Sequence, residues 1–270
     1  MKLFKVLFIA LITTSCSSED STEINFENKS PVTEINPYIY DSGLSNGLKM
    51  AFEYDSNKRL IKKNGGFVAP IPIIGFGGFY SNDVYTILTY NGKNITIENF
   101  SNSPDFSIPK DTRILTLNAS NKIETREIPN LSYNYQSKKQ TFTYSENKLV
   151  KIVTTFPNRH YDATDPTHYI LTNVEQFYYD LNGNLTKAEY LEQHNGIDKG
   201  EKIIRTFEDY DKAENPLQDF QLLDEFFYRS LSKNNFRKYS ESQYRNDDLI
   251  YTSIVIWTFN YELNGKIIIK

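Results

Sequence analysis

Apolar and polar residues alternate in short runs along most of the chain, and a turn signal separates each pair of runs. The stretch Phe177–Tyr190 shows this unit most clearly. Its Asn182-Gly183 pair predicts a tight turn, because glycine accepts the left-handed conformation that closes a three-residue loop with a bulge. Tyr179 and Leu185 then face each other across the two strands, as a favourable aromatic–aliphatic pair. The pattern therefore predicts a β-hairpin.

The same unit returns along the chain at intervals of roughly thirty residues, which is typical of repeat architectures. A single hairpin cannot bury its apolar face alone, so the units are expected to lie side by side. The fold class predicted is mainly β: a repeat-built antiparallel meander that forms one large sheet, which twists and curls. The pairs that flank the other turns are Tyr54 and Leu60, Leu117 and Ile123, Tyr144 and Leu149, Tyr244 and Leu249, and Tyr261 and Ile267.

The periodicity changes after Tyr210. Asn215 suits the N-cap of a helix and Pro216 its first position. Apolar residues then recur at intervals of three and four, which predicts one α-helix over residues 216–232 that covers the aromatic inner face of the sheet. A helix that binds a partner is the alternative. The apolar positions are Leu217, Phe220, Leu223, Phe227 and Leu231.

Composition supports the β fold and excludes some function classes. The chain has 270 residues, with 20 Tyr and 18 Phe, and aromatic residues favour strands. Its formal net charge of −4 argues against a general nucleic-acid binder, which needs a basic face. The single cysteine, Cys16, excludes a disulfide within the chain and a metal site built from cysteines.

The N-terminus has the pattern of an export signal. A short basic region is followed by the apolar run Val6–Ile12, which is too short to span a bilayer as a helix. Three small residues, Thr13–Ser15, then precede Cys16. This arrangement resembles the lipobox of bacterial lipoproteins. The resemblance implies that residues 1–15 are removed and that Cys16 receives acyl chains such as palmitate. An ordinary signal peptide with an incidental cysteine is the alternative.

The residues after Cys16 are polar and carry no apolar periodicity, so residues 16–37 are predicted to form a flexible tether before a repeat domain of residues 38–270. Within the tether, Ser17–Glu23 resembles the serine-plus-acidic export signal of surface lipoproteins in Bacteroidota-type bacteria. The resemblance implies a lipid-anchored protein of the outer membrane or cell surface.

The turns themselves resemble the Tyr-Asp repeats of Rhs-type proteins and, more closely, the Tyr-rich β-repeat lipoproteins of Bacteroidota. The likeness would cover most of residues 45–270. It implies a location and a fold, and it implies no established reaction.

Two further segments are candidate binding sites. The apolar, glycine-rich stretch Pro70–Phe79 lacks the spacing of a phosphate-binding loop, and is expected to fold over the sheet or to form an interaction patch. The connection that follows residue 158 contains metal-ligating residue types, but their spacing fits no known motif and favours a solvated loop. Its weak metal candidates are His160, Asp162, Asp165 and His168.

No other motif indicates catalytic machinery, and no cofactor is predicted. The sequence therefore favours a binding or structural role over catalysis, with glycan or protein recognition by tyrosine-rich surfaces as the working hypothesis. The alternative is a hydrolase of extracellular polysaccharide or another polymer. It would need an exposed cleft with two carboxylates roughly 5–10 Å apart.

Overall fold

The computed structural model describes residues 30–40, 47–68, 79–108, 112–129 and 136–269. The chain divides into a first unit of residues 1–31 and a compact unit of residues 32–270. Cys16 and the predicted signal peptide lie outside the described residues, as does most of the stretch Pro70–Phe79. The compact unit includes residues 32–37, which the sequence pattern placed in the tether.

The compact unit is one 14-stranded antiparallel sheet in which strands adjacent in sequence are adjacent in space. The mainly β meander is therefore confirmed. The strands are β1 (Glu34–Ile35), β2 (Met50–Tyr54), β3 (Leu60–Phe67), β4 (Tyr80–Asn91), β5 (Asn94–Ser101), β6 (Thr112–Leu117), β7 (Ile123–Ile128), β8 (Lys138–Ser145), β9 (Lys148–Thr155), β10 (Leu171–Tyr179), β11 (Leu185–His194), β12 (Ile197–Tyr210), β13 (Phe236–Arg245) and β14 (Asp248–Ile256).

The hairpin turns have the predicted register. Tyr179 pairs with Leu185, and a bulge precedes this pair. The Asp180 carboxylate accepts the N–H groups of Asn182 and Asn184 at 2.9 and 2.8 Å, which fixes the turn locally. Gly183 has φ +88°, as the turn requires. The five other predicted pairs are confirmed as well.

The last large connection is an insertion into one of these turns. Tyr210 pairs with Phe236, as Tyr179 pairs with Leu185. The Asp211 N–H donates to the Asn235 carbonyl at 3.1 Å, which repeats the bond from Asp180 to Asn184 in the shorter turn. Residues 212–234, here called the plug, therefore replace the tip of a repeat turn.

The plug corrects the prediction of one helix over residues 216–232. It contains two 3₁₀ turns, Gln218–Phe220 and Asp224–Phe226, and the short helix α1 (Phe227–Ser230). Leu223 lies between the 3₁₀ turns with an extended backbone, at φ −99° and ψ 122°. The next two residues, Asp224 and Glu225, form ion pairs with the sheet, and these tertiary contacts override the helical periodicity. The helical cover over the sheet is nevertheless confirmed, and Phe220 and Phe227 are buried as predicted.

The sheet curls around the plug. The ring of Phe52 on β2 lies 4.4 Å from Phe220 and 6.1 Å from Phe226. Arg229, only three residues further along, lies 4.2 Å from the ring of Phe236 on β13. Three residues span at most about 10 Å. In a flat sheet the strands β2 and β13 would be roughly 50 Å apart, so the sheet must curl for both strands to contact the plug.

Residues 257–269 connect the two ends of the curled sheet. The indole of Trp257 donates to the Tyr40 carbonyl at 2.7 Å, and the Asn36 N–H donates to the Ile269 carbonyl at 2.7 Å. Arg229 lies between these segments, with its guanidinium 4.4 Å from the Trp257 ring. Among the described strands β14 pairs only with β13, so the hydrogen-bonded sheet is not closed. None of the described helices has the length and hydrophobicity of a membrane span.

Candidate functional site

Charged side chains on the inner face of the sheet hold the plug. Asp224 pairs with Arg113 on β6 and with Arg126 on β7, the latter at 2.9 Å. Glu225 pairs with Lys63 on β3. Burial raises the pKa of the Asp224 carboxyl, but the two guanidiniums outweigh this effect, so the net shift of that pKa is downward. These contacts pair the buried cations Lys63, Arg113 and Arg126 with carboxylates of the plug, while the Asp224 side chain remains 42% exposed.

A second inner cluster, the Arg205 cluster, consists of Arg205, Glu175, Glu241, Tyr228 and Tyr239. The guanidinium lies 3.0 Å from Glu175 and 3.1 Å from Glu241. The Tyr228 and Tyr239 hydroxyls donate to the same two carboxylates at 2.6 and 2.8 Å. Burial raises the pKa of Glu175, although Arg205 and Tyr228 act in the opposite direction. Two carboxylates do meet here, but Arg205 occupies the space between them and both are buried, so they do not form the exposed cleft that a hydrolase needs.

Some inner polar atoms have no hydrogen-bond partner among the described residues, for example Nε and Nη2 of Arg126. Both atoms are sealed from solvent, and the guanidinium lies 5.6 Å from the Phe142 ring and 5.7 Å from the Phe227 ring. Aromatic faces therefore take the place of hydrogen-bond acceptors here.

An open cleft of about 620 Å³ lies at the end of β12 and the start of β13, where the plug begins. Three elements form it: the chain leaving β12, the first residues of β13, and the C-terminal hairpin around Gly265. Its lining residues are Tyr210, Asp211, Lys212, Ala213, Glu214, Arg237, Tyr261, Asn264, Gly265 and Lys266.

A tyrosine and a carboxylate form the centre of this cleft. The Tyr261 hydroxyl donates to Asp211 Oδ2 at 2.8 Å, and the same oxygen accepts from the Asn235 amide at 3.0 Å. Burial raises the pKa of Tyr261 to about 12, and the bond to Asp211 adds to the shift. The hydroxyl is therefore a neutral, oriented donor, while 36% of the residue remains exposed.

Polar groups surround this pair. The Arg237 guanidinium donates to Asp209 Oδ1 at 2.6 Å, and this hydrogen bond raises the pKa of Arg237. Lys212, Glu214 and Lys266 are exposed around the cleft. The cleft thus combines an accessible aromatic ring with hydrogen-bond donors and acceptors, which is the chemistry that a sugar ring and its hydroxyl groups need.

The predicted metal candidates lie near one another in the connection between β9 and β10. The rings of His160 and His168 are 5.4 Å apart, and His168 Nε2 is 3.6 Å from Asp165. His168 Nδ1 accepts the N–H of Asp162, and the Asp162 and Asp165 carboxylates accept hydrogen bonds from the threonines that follow them. These bonds lower the pKa values of both aspartates. Within the described ranges, no group of three or more His, Cys, Asp or Glu residues is placed to hold a metal ion.

The structure brings together residues that sequence reasoning left apart. His194 stacks on Tyr169 at 3.6 Å between ring centres and lies 2.6 Å from Glu192. The cleft was missed altogether, because Asp211 and Tyr261 belong to different repeat units and meet only through the side-by-side placement of β12, β13 and β14. The signal available in the sequence was that both repeat units have the turn motif, in which an aromatic residue is followed by an acidic one, as in Tyr210-Asp211 and Tyr261-Glu262.

Comparison with known proteins gives little further information. No family model matches the chain, and no curated protein matches it. A crystal structure of a porin-like protein from Bacteroides vulgatus is similar with a TM-score of 0.41 and 14% identity, over 83% of this chain and 87% of that one. A porin-like protein from Bacteroides uniformis gives a TM-score of 0.39 and 14% identity, over 78% of this chain and 89% of that one. Likenesses this weak do not indicate a function.

Proposed function

We propose that the protein is a lipid-anchored surface protein whose β-sheet domain binds carbohydrate in the cleft between the plug and the C-terminal hairpin. The observation that supports this most directly is that Tyr261, which is partly exposed, is held by Asp211 inside a cleft of about 620 Å³. Ligand sites in proteins typically have volumes of about 300–1,000 Å³. The cleft is therefore large enough for one or two sugar units.

The side chains around the ring match the groups of a sugar. An aromatic face packs against the apolar C–H face of a pyranose. Lys212, Lys266 and the remaining amide hydrogen of Asn264 provide donors for its hydroxyl groups. Because the hydrogen bond to Asp211 fixes the phenol, little side-chain entropy would be lost on binding. The cleft is open, so a longer chain could extend beyond it.

The proposed anchor rests on the sequence. Cys16 is the single cysteine and follows a basic region, an apolar run and three small residues. A structural cysteine would be expected in an apolar folded segment, since free cysteine is among the most buried residue types. Several acyl chains on Cys16 would give stable membrane attachment, at about 0.8 kcal/mol per buried methylene.

We expect Cys16→Ala to abolish incorporation of labelled fatty acid, because acylation needs the thiol. The variant should remain as uncleaved precursor or leave the membrane fraction, whereas the wild type should have a mature N-terminus at Cys16. Metabolic labelling and N-terminal mass spectrometry measure both properties. A wild-type N-terminus elsewhere, without labelled fatty acid, would contradict the anchor.

We expect the soluble chain from residue 24 to bind defined glycans on an array, and Tyr261→Ala to weaken that binding at least about tenfold, equivalent to about 1.4 kcal/mol. Calorimetry with the best array hit measures the loss. Tyr178→Ala is the matched control, because Tyr178 lies on the outer face of β10, is 39% exposed and has a lysine over its ring, but does not line the cleft. The control should bind as the wild type does.

Two other results would contradict carbohydrate binding in the cleft. Equal losses in Tyr261→Ala and Tyr178→Ala would place the ligand elsewhere. New reducing ends during incubation with a polysaccharide would favour the hydrolase alternative, and Asp211→Asn would then test whether a carboxylate of the cleft is responsible.

A further inference from the structure

One end of the sheet presents two leucines to solvent without any contact that would bury them. In this meander the connections that follow even-numbered strands all lie at the same end, here called the turn end. Leu181, in the turn between β10 and β11, has a relative exposure of 106%. Leu263, in the C-terminal hairpin, has a relative exposure of 110% and lies at the same end, because Tyr261 contacts Asp211 there.

The turn does not need a leucine. The carboxylate of Asp180 and the positive φ of Gly183 determine its shape, and both act through the backbone. Equivalent turns have Ser56 and Ala119 at the leucine position. Neither leucine is needed for the turn geometry and both are almost completely exposed, so both side chains are available for a contact outside the chain.

The turn end also carries exposed lysines, which lie in its turns and next to the start and the end of the plug. They are Lys58, Lys93, Lys212, Lys233 and Lys266. The acidic residues of this end include several that accept the backbone hydrogen bonds of their own turns, as Asp55 and Asp180 do. Glu146, Glu214 and Glu262 are exposed at the same end, so the lysines lie among acidic residues.

The chain enters the compact unit at the same end. The Tyr54 hydroxyl donates to the Val32 carbonyl at 2.7 Å, and Tyr54 is the last residue of β2 before its turn. The residues between Cys16 and Val32 can span at most about 50 Å. An anchor on Cys16 would therefore hold the turn end within reach of the bilayer.

We propose that the turn end docks directly on a lipid bilayer, with Leu181 and Leu263 in the interfacial region and the lysines over anionic headgroups. Apolar tips and neighbouring basic residues are the two elements by which proteins lie on a membrane surface without crossing it. This contact is separate from the acyl chains and sets the orientation of the domain. It also places the cleft next to the headgroups, where the carbohydrate of surface glycolipids is found.

The test uses the soluble chain from residue 24, which lacks Cys16. The wild type should sediment with vesicles of phosphatidylcholine that contain about 30% phosphatidylglycerol. The double variant Leu181→Ser with Leu263→Ser should bind these vesicles at least about tenfold more weakly. The matched control is Leu249→Ser with Ile254→Ser, since these residues are also exposed, at 57% and 59%, but lie on the strand β14 and not in the connections of the turn end. The control should bind as the wild type does.

A second measurement reports insertion itself. Trp257 is the only tryptophan and is buried, so Leu181→Trp adds one exposed fluorophore at a tip. Its emission should shift to the blue on addition of the vesicles. Absence of vesicle binding by the wild type, equal losses in the two double variants, or an unshifted Leu181→Trp emission would overturn the proposal. None of these results would affect fatty-acid labelling of Cys16 or glycan binding by Tyr261.

Discussion

Phe220→Ala is expected to lower the free energy of unfolding by about 3–5 kcal/mol, because it removes a fully buried ring at the centre of the plug. The ring stacks on Phe52 at 4.4 Å and lies 5.3 Å from Phe226. The sheet that surrounds the plug is held by its own hydrogen bonds, so we expect it to relax little into the space.

Urea unfolding of the soluble chain, followed by tryptophan fluorescence, measures this loss. Phe79→Ala is the control, because Phe79 is 64% exposed and should change the stability by less than about 0.5 kcal/mol. If Phe220→Ala were as stable as the control, the plug would not be part of the cooperative core, and its role as the cover of the inner face would be wrong.

The turns were predictable from the sequence because their physics is local. In the turn that contains Gly183, the Asp180 carboxylate binds backbone groups two and four residues away, so five residues contain all the information. The order of the strands followed from the number of such turns, since consecutive hairpins can only be placed side by side. The meander therefore needed no information about distant contacts.

The plug and the cleft were less predictable because their physics is not local. The periodicity of residues 216–232 is helical, but Asp224 binds Arg113 and Arg126, which lie about a hundred residues earlier in the chain. The pairing of Asp224 with two buried arginines accompanies the break of the helix at Leu223, so these distant contacts prevail over the local periodicity. The cleft similarly depends on a contact between two repeat units, in which Tyr261, after β14, meets Asp211, after β12.

Arg205→Met is expected to destabilise the protein by about 3–5 kcal/mol at neutral pH, because it leaves Glu175 and Glu241 buried without a cation. The aliphatic side chain of methionine fills most of the same volume, so lost packing contributes little. The triple variant Arg205→Met, Glu175→Gln and Glu241→Gln should recover much of the stability, since no buried charge then remains. Lys139→Met breaks an exposed ion pair with Glu127 and is the control, with a change below about 1 kcal/mol.

The pH dependence separates this electrostatic explanation from a simple packing defect. Burial already raises the pKa of Glu175 above its ordinary value of 4.5, and loss of the guanidinium should raise that pKa further. A carboxyl group with a higher pKa in the folded state binds its proton more readily there, so the folded state gains stability as the pH falls through that raised pKa towards 4.5. The loss of unfolding free energy caused by Arg205→Met, relative to the wild type, should therefore be smaller at about pH 5 than at pH 7.5. The triple variant should not show this pH dependence. Urea unfolding at the two pH values measures the difference, and an equal loss at both would mean that Arg205 stabilises the fold by packing alone.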